Sequence, residues 1–270
     1  MKPKIINRIY GVPPFSVILL HGGPGAAGTL STMAKELSSE FGVIEAIQTS
    51  DSIDGQLEEL LSVIKMNCLT PVLVVGHSWG AWLACLFASA YTEFCKSSIL
   101  VSCPPFESKY EDEINRSRMD RMNESDFEKF DNLAKILKGK VKGDKNKAFA
   151  EIGNLFFMID SFSRTIENPG EIHCDFQIYS NVWAQASGLR KTGELLRIVE
   201  KIKCPISFIH GDHDPHPVSG IKEPLDKLEI KYKFIGLKNC GHYPWLEPDV
   251  KRKFYDLLKE LLKSDIENIQ

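Results

Sequence analysis

The run Pro71-Val72-Leu73-Val74-Val75 passes directly into Gly76-His77-Ser78-Trp79-Gly80 and then into the apolar stretch Trp82–Tyr91. A short β-branched run ahead of a glycine-flanked turn reads as a strand buried on both faces, and the apolar stretch after it as a buried helix. A parallel sheet with helices on both sides buries the two together. The rest of the chain repeats the alternation. Ile5–Tyr10 (an edge strand), Ser16–Leu20, Val43–Ile47, Ser98–Ser102, Pro205–Ile209 and Lys231–Ile235 read as strands. Thr29–Ser39, Asp54–Met66, Trp79–Tyr91, Thr192–Lys201 and Asp249–Lys263 read as helices; in Asp54–Met66, Leu57, Leu60, Leu61 and Ile64 share one face. The expected fold class is α/β, a mostly parallel central sheet flanked by helices.

At Pro104-Pro105 the texture changes. Glu107 to Lys147 holds 10 acidic and 11 basic residues in 41 positions, a pattern of solvated helix faces. An aromatic-rich stretch follows, with Phe156, Phe157, Phe162, Phe176, Tyr179 and Trp183. Residues 104–190 are therefore expected to form an inserted helical cap on a core of 1–103 and 191–270, with the basic stretch Lys135–Lys147 as its mobile loop. The net charge of −3 gives no electrostatic reason to expect a nucleic acid or an anionic membrane as partner. Seven cysteines without a CxxC pair suit a reducing compartment better than a disulfide framework. No secretory signal is legible in Met1–Tyr10, and no apolar run reaches the roughly 18–20 residues of a membrane helix. A cytoplasmic location is the expectation; oligomeric state is not readable.

Four separated segments carry chemistry. Gly76-His77-Ser78-Trp79-Gly80 matches G-x-S-x-G, which puts a serine on a tight strand-to-helix turn with the helix N-terminus behind it. His21-Gly22-Gly23-Pro24-Gly25 follows an earlier strand, and its small residues let a backbone amide point above Ser78. The amides of Gly23 and Trp79 are the expected pair of oxyanion donors, with His21 bracing the loop. A serine nucleophile needs a base, and the base a carboxylate. Asp212 and Asp214 both lie in the loop His210–Pro217, and His242 lies in Asn239–Pro244 before the last helix. The order Ser, Asp, His, each just past a strand, puts all three at one sheet edge, where open α/β sheets build their sites. His210, Asp212, His213, Asp214 and His216 also read as a cluster of metal ligands. It lacks a second ligand group elsewhere in the chain, so no metal and no cofactor is expected. His77 and His173 have no assigned role.

These motifs, in this order over essentially the whole chain, resemble the α/β-hydrolase superfamily. His-Gly-Gly-Pro-Gly together with Ser78-Trp79-Gly80 resembles its prolyl iminopeptidase branch. The acid of that superfamily commonly sits in G-x-x-D-x-x-x-P; Gly211 to Asp214 match its first four positions, while Pro217 comes one residue early. The resemblance thus implies Ser78, Asp214 and His242 as a triad and Gly23 and Trp79 as the oxyanion hole. It implies hydrolysis of a small ester, amide or N-terminal peptide bond through an acyl-enzyme, with a small molecule or short peptide as substrate. Two departures stand out: His77 replaces a usual glycine, and Glu45–Ser52 stands where that branch carries a longer segment with an Asp-Gln-Arg-Gly-like motif. An aminopeptidase also needs carboxylates facing the substrate ammonium, for which Glu107, Glu171 and Asp175 are the candidates. The alternatives are a ligand-binding protein with little or no turnover, and a same-fold carbon–carbon hydrolase or lyase.

Overall fold

In the computed structural model of this chain, residues 6–163 and 172–267 are described. The first half alternates β1 (Ile6–Tyr10), β2 (Phe15–Leu20), β3 (Ala26–Ala27), α1 (Ser31–Leu37), β4 (Gly42–Ile47), α2 (Ile53–Asn67), β5 (Val72–His77), α3 (Trp79–Ala90) and β6 (Cys95–Val101). A helical stretch follows: α4 (Glu111–Arg121), α5 (Glu124–Leu137), α6 (Lys145–Ile159), then β7 (His173–Cys174), α7 (Phe176–Lys191) and α8 (Glu194–Glu200). The alternation closes with β8 (Ile206–Gly211), α9 (Ser219–Lys227), β9 (Lys233–Leu237) and α10 (Lys251–Glu267).

The seven-stranded sheet runs β1-β4-β2-β5-β6-β8-β9. Only the edge strand β1 is antiparallel to its neighbour; the other pairings are parallel. Successive residues of a strand face opposite sides, so β5 divides its side chains between two cores. Val72 and Val74 join α2, α3 and α8 on one face. Leu73 and Val75 join α1 and α10 on the other. A strand buried on both faces has no polar alternation to show, which is why β5 reads as an unbroken apolar run. α3 is buried nearly all round and is the helix on which the site is built.

The expected elements form, with differences that have local causes. The helix expected over Thr192–Lys201 forms as α8, Glu194–Glu200; α7 ends just before it at Lys191, and Gly193, in the left-handed region at φ 76°, starts α8 afresh. Lys135–Lys147 is not a loop at its ends, since α5 runs on to Leu137 and Asp144 caps α6 by accepting from the Lys147 amide at 3.0 Å. α9 has no counterpart among the expected elements; it forms with Pro224 inside it. α4 buries only Ile114, in keeping with a solvated charge run. All seven cysteines are free thiols. Among the described residues no helix is long and apolar enough to cross a membrane.

Phe254 is fully buried where α10 docks on the sheet. Phe254→Ala is expected to cost about 3–5 kcal/mol through lost burial and a residual cavity, read from urea unfolding; a loss below 1 kcal/mol would show that α10 contributes little to the core.

Candidate active site

Ser78 sits between β5 and α3 with φ 52° and ψ −117°. A residue with a side chain is held in such a conformation at a cost of about 1–3 kcal/mol, and only where the surroundings over-determine it. Here its amide donates to the Val101 carbonyl on β6 at 3.0 Å. The backbone around it is packed against backbone: a Cβ on Gly80 would run into the Leu20 carbonyl, and one on Gly76 into the Gly80 carbonyl. That close approach is the reason for glycine on either side of the serine. The turn leaves Ser78 half-buried on the wall of a cavity of about 1170 Å³. Gly23, Trp79, His216 and His242 line the same cavity. As the first residue of α3, Trp79 has an amide with no acceptor inside its own helix.

Asp214 is buried in the loop after β8, and two imidazoles share it. His242 Nδ1 lies 2.7 Å from Oδ2 and His216 Nδ1 lies 2.7 Å from Oδ1, with the His216 amide donating to Oδ1 at 2.9 Å. A carboxylate can only accept, so both rings carry their proton on Nδ1 and present Nε2 outward. Burial opposes ionisation of Asp214, but His242, His210 and His216 around it hold its carboxyl well below the usual range. Burial likewise pushes His216 down to about 4, so that ring is neutral. Asp212, the other acid singled out by sequence, is exposed and accepts the Cys240 amide at 3.2 Å.

Beneath His242 lies His77, whose Nε2–H donates to the His242 carbonyl at 3.0 Å and whose ring is 4.7 Å from the His242 ring. Burial drives its pKa well below the ordinary value, which keeps it a neutral strut. His210 plays the same part under the acid loop, donating from Nε2 to the His216 carbonyl at 2.9 Å. His21 braces the glycine loop: the Gln48 amide donates to its Nε2 at 3.4 Å, and its Nδ1 faces the Gly22 carbonyl at 3.2 Å.

The helical stretch is tied to this end of the sheet at two places. Ala26–Ala27, just past the glycine loop, pairs with His173–Cys174, and the Asp175 amide donates to the Gly25 carbonyl at 2.8 Å. On the other side, the Asp160 carbonyl accepts the His242 amide at 2.9 Å. Glu247, 1% exposed, accepts the amides of Phe162 at 2.7 Å, Ser163 at 2.8 Å and Gly241 at 2.9 Å. The strap 160–163 crosses so close over Gly241 that a Cβ there would collide with the Asp160 carbonyl. Arg118 in turn grips the Asp160 carboxylate through Nε at 2.9 Å and Nη2 at 2.6 Å.

Phe156, Phe157, Tyr179 and Trp183 line the cavity, as the apolar underside read from sequence requires, whereas Phe162 is largely exposed. Three carboxylates on the cavity wall have cationic partners: Asp160 with Arg118, Glu111 with Arg190, and Asp131 with Lys135. Of the carboxylates considered for an ammonium, Glu107 pairs with Lys109 at 3.0 Å, Asp175 caps α7, and Glu171 lies outside the described residues. A cation has one candidate seat among the described residues, Asp214 with His216 and His242, whose ligand atoms lie within 4.8 Å of one another. The Nδ1 and carboxylate atoms that would ligate it are already joined in pairs at N–H···O length.

Glu247 carried no sequence signal, since its partners are backbone amides, two of them 85 and 84 positions away in the chain. His216 could have been found: an Asp two residues ahead accepts its amide in an Asx turn.

Residues 17–251 match the model of the alpha/beta hydrolase family. A proline iminopeptidase of Heyndrickxia coagulans is 23% identical over 253 residues, 86% of this chain and 85% of that protein. Among solved structures, VinJ is similar with a TM-score of 0.65 at 18% identity, covering 96% of this chain and 94% of its own. The proline iminopeptidase of Mycobacterium smegmatis gives 0.64 at 16% identity, covering 98% and 96%.

Two predictions follow from the buried groups. Glu247→Ala removes the carboxylate that accepts the Gly241, Phe162 and Ser163 amides and is expected to cost about 3 kcal/mol or more. Amide exchange should accelerate at Gly241, Phe162 and Ser163, and unchanged exchange at all three would refute the strap. His21 and His216 are held at about 4 against an ordinary 6.5. Below 6.5 the unfolded chain therefore takes up protons that these folded rings refuse, so stability falls from pH 6.5 toward 4 and is independent of these two above that window. The urea midpoint should be lower at pH 5 than at pH 7; a higher one contradicts the assignment.

Proposed function

The chain belongs to the alpha/beta hydrolase family, and on that premise we propose that it is a serine hydrolase of small esters, amides or N-terminal peptide bonds. Ser78 is the nucleophile, His242 the base and Asp214 the acid of its triad. The observation that carries this reading is the left-handed turn at Ser78, which opens on the same cavity as an imidazole backed by a buried carboxylate at 2.7 Å.

In the proposed reaction the Ser78 oxygen adds to the substrate carbonyl as its proton passes to His242 Nε2. The oxyanion is received by the amides of Gly23 and Trp79, aided by the positive end of α3. Collapse of the tetrahedral adduct breaks the bond to the leaving alcohol or amine, which takes the proton from His242 and departs. A water then attacks the acyl-Ser78 ester, giving one proton to His242, and the carboxylic acid leaves as Ser78 recovers that proton. Asp214 stays ionised throughout, fixing the tautomer of His242 and stabilising its cation. No metal or cofactor is called for by these steps.

Residues 104–190 act in this reading as a cap whose apolar underside shapes the acyl or leaving-group site. The ion pairs Asp160–Arg118 and Glu111–Arg190 leave a wall suited to a neutral, apolar group, which supports an ester or amide substrate over one with a free ammonium. The aminopeptidase reading is supported by the iminopeptidase relative and by the His-Gly-Gly-Pro-Gly motif. Turnover of prolyl-naphthylamide against short acyl esters separates the two.

Ser78→Ala should lower turnover of 4-nitrophenyl butyrate by about 10³–10⁶ while leaving the fold intact. A fluorophosphonate probe should label the wild type at Ser78. Near-wild-type turnover in the variant would overturn the mechanism, and an unlabelled chain that still binds ester would favour a ligand-binding protein.

A further inference from the structure

We infer that His216 is a recognition residue: its Nε2 accepts a hydrogen bond from a hydroxyl that the leaving group carries beside the scissile bond, so that the preferred substrates are esters of vicinal diols. The inference rests on the Ser78–His242–Asp214 reading above and gives that site a substrate class.

His216 is built like the proposed base. Each ring donates its Nδ1 proton to one oxygen of the same carboxylate, at 2.7 Å in both cases. The residue is held at three points, by its ring, by its amide on Asp214 Oδ1 and by its carbonyl under His210 Nε2. Such anchoring is more than a loop side chain needs merely to fill space. The ring lines the active cavity, and with Nδ1 engaged by Asp214 its Nε2 is the nitrogen left for a ligand. Burial keeps the ring neutral, so that nitrogen has a lone pair and no proton.

Its position selects the leaving-group side. To return its proton, His242 must face the oxygen of the departing alcohol. The His216 ring lies 4.7 Å from the His242 ring, centroid to centroid, at an interplanar angle of 35°. A hydroxyl on the next carbon of the alcohol lies within hydrogen-bond length of that departing oxygen, and so comes within reach of the second imidazole. An alcohol without it leaves a buried acceptor without a partner, which is the situation that gives discrimination in polar sites.

The test compares kcat/KM for glycerol 1-monobutyrate and propyl butyrate, which share an acyl group and differ in the neighbouring hydroxyl. The wild type should prefer the glycerol ester by about tenfold, the size of one net hydrogen bond. In His216→Phe and in His216→Gln the ratio should fall toward one. A role confined to holding Asp214 would lower both substrates together and leave the ratio unchanged, which would overturn the inference. Equal kcat/KM in the wild type overturns it without recourse to any variant, as does fluorophosphonate labelling of Ser78 with no turnover of either ester. Absence of both labelling and turnover would overturn the hydrolase reading itself.

Discussion

The site depends on backbone packed against backbone at the junction of β2, β5 and α3. Gly80 lies against the Leu20 carbonyl and Gly76 against Gly80, with no room for a side chain at either place. Because β5 is fixed between β2 and β6 by parallel ladders, and α3 is buried nearly all round, neither element can withdraw to relax the turn between them. The strain at Ser78 is therefore borne by elements buried on every side. The same approach brings the loop after β2, which carries Gly22 and Gly23, to the wall of the cavity that Ser78 lines.

Around that fixed point the loops are organised by buried carboxylates rather than by apolar contact. Asp214 gathers two imidazoles and an amide, and Glu247 gathers three amides from two distant segments. Such groups are costly to bury and specific once satisfied, because each donor must arrive in one geometry. Histidines serve as struts in the same manner: His77 under His242, His210 under His216, His21 within the glycine loop. The departure of His77 from the glycine usual in the prolyl iminopeptidase branch thus has a structural counterpart, since its Nε2–H supports the loop that carries the proposed base.

The cavity is closed by helices that face water outside and aromatic rings within. Phe156, Phe157, Tyr179 and Trp183 supply apolar surface, while the arginines beneath are matched to Asp160 and Glu111. Asp160 has a double part, because its carboxylate holds Arg118 while its carbonyl takes the His242 amide. The strap and the loop of the proposed base are thereby joined.

Periodicity and turn chemistry alone determined the layered α/β architecture, the strand–serine–helix turn and the placing of Ser78, Asp214 and His242 in loops past strand ends. Those features are local: an unbroken apolar run, a glycine two residues away, an order along the chain. Between Asp214 and Asp212, left open by the residues, it is the Asp214 carboxylate that meets the His242 ring, 28 positions along the sequence. The strut under His242, the three amides on Glu247 and the second imidazole on Asp214 likewise belong to the tertiary structure. They join groups whose separation in sequence carries no period, and a buried polar group finds its partner by geometry in space, which no local pattern of side chains encodes.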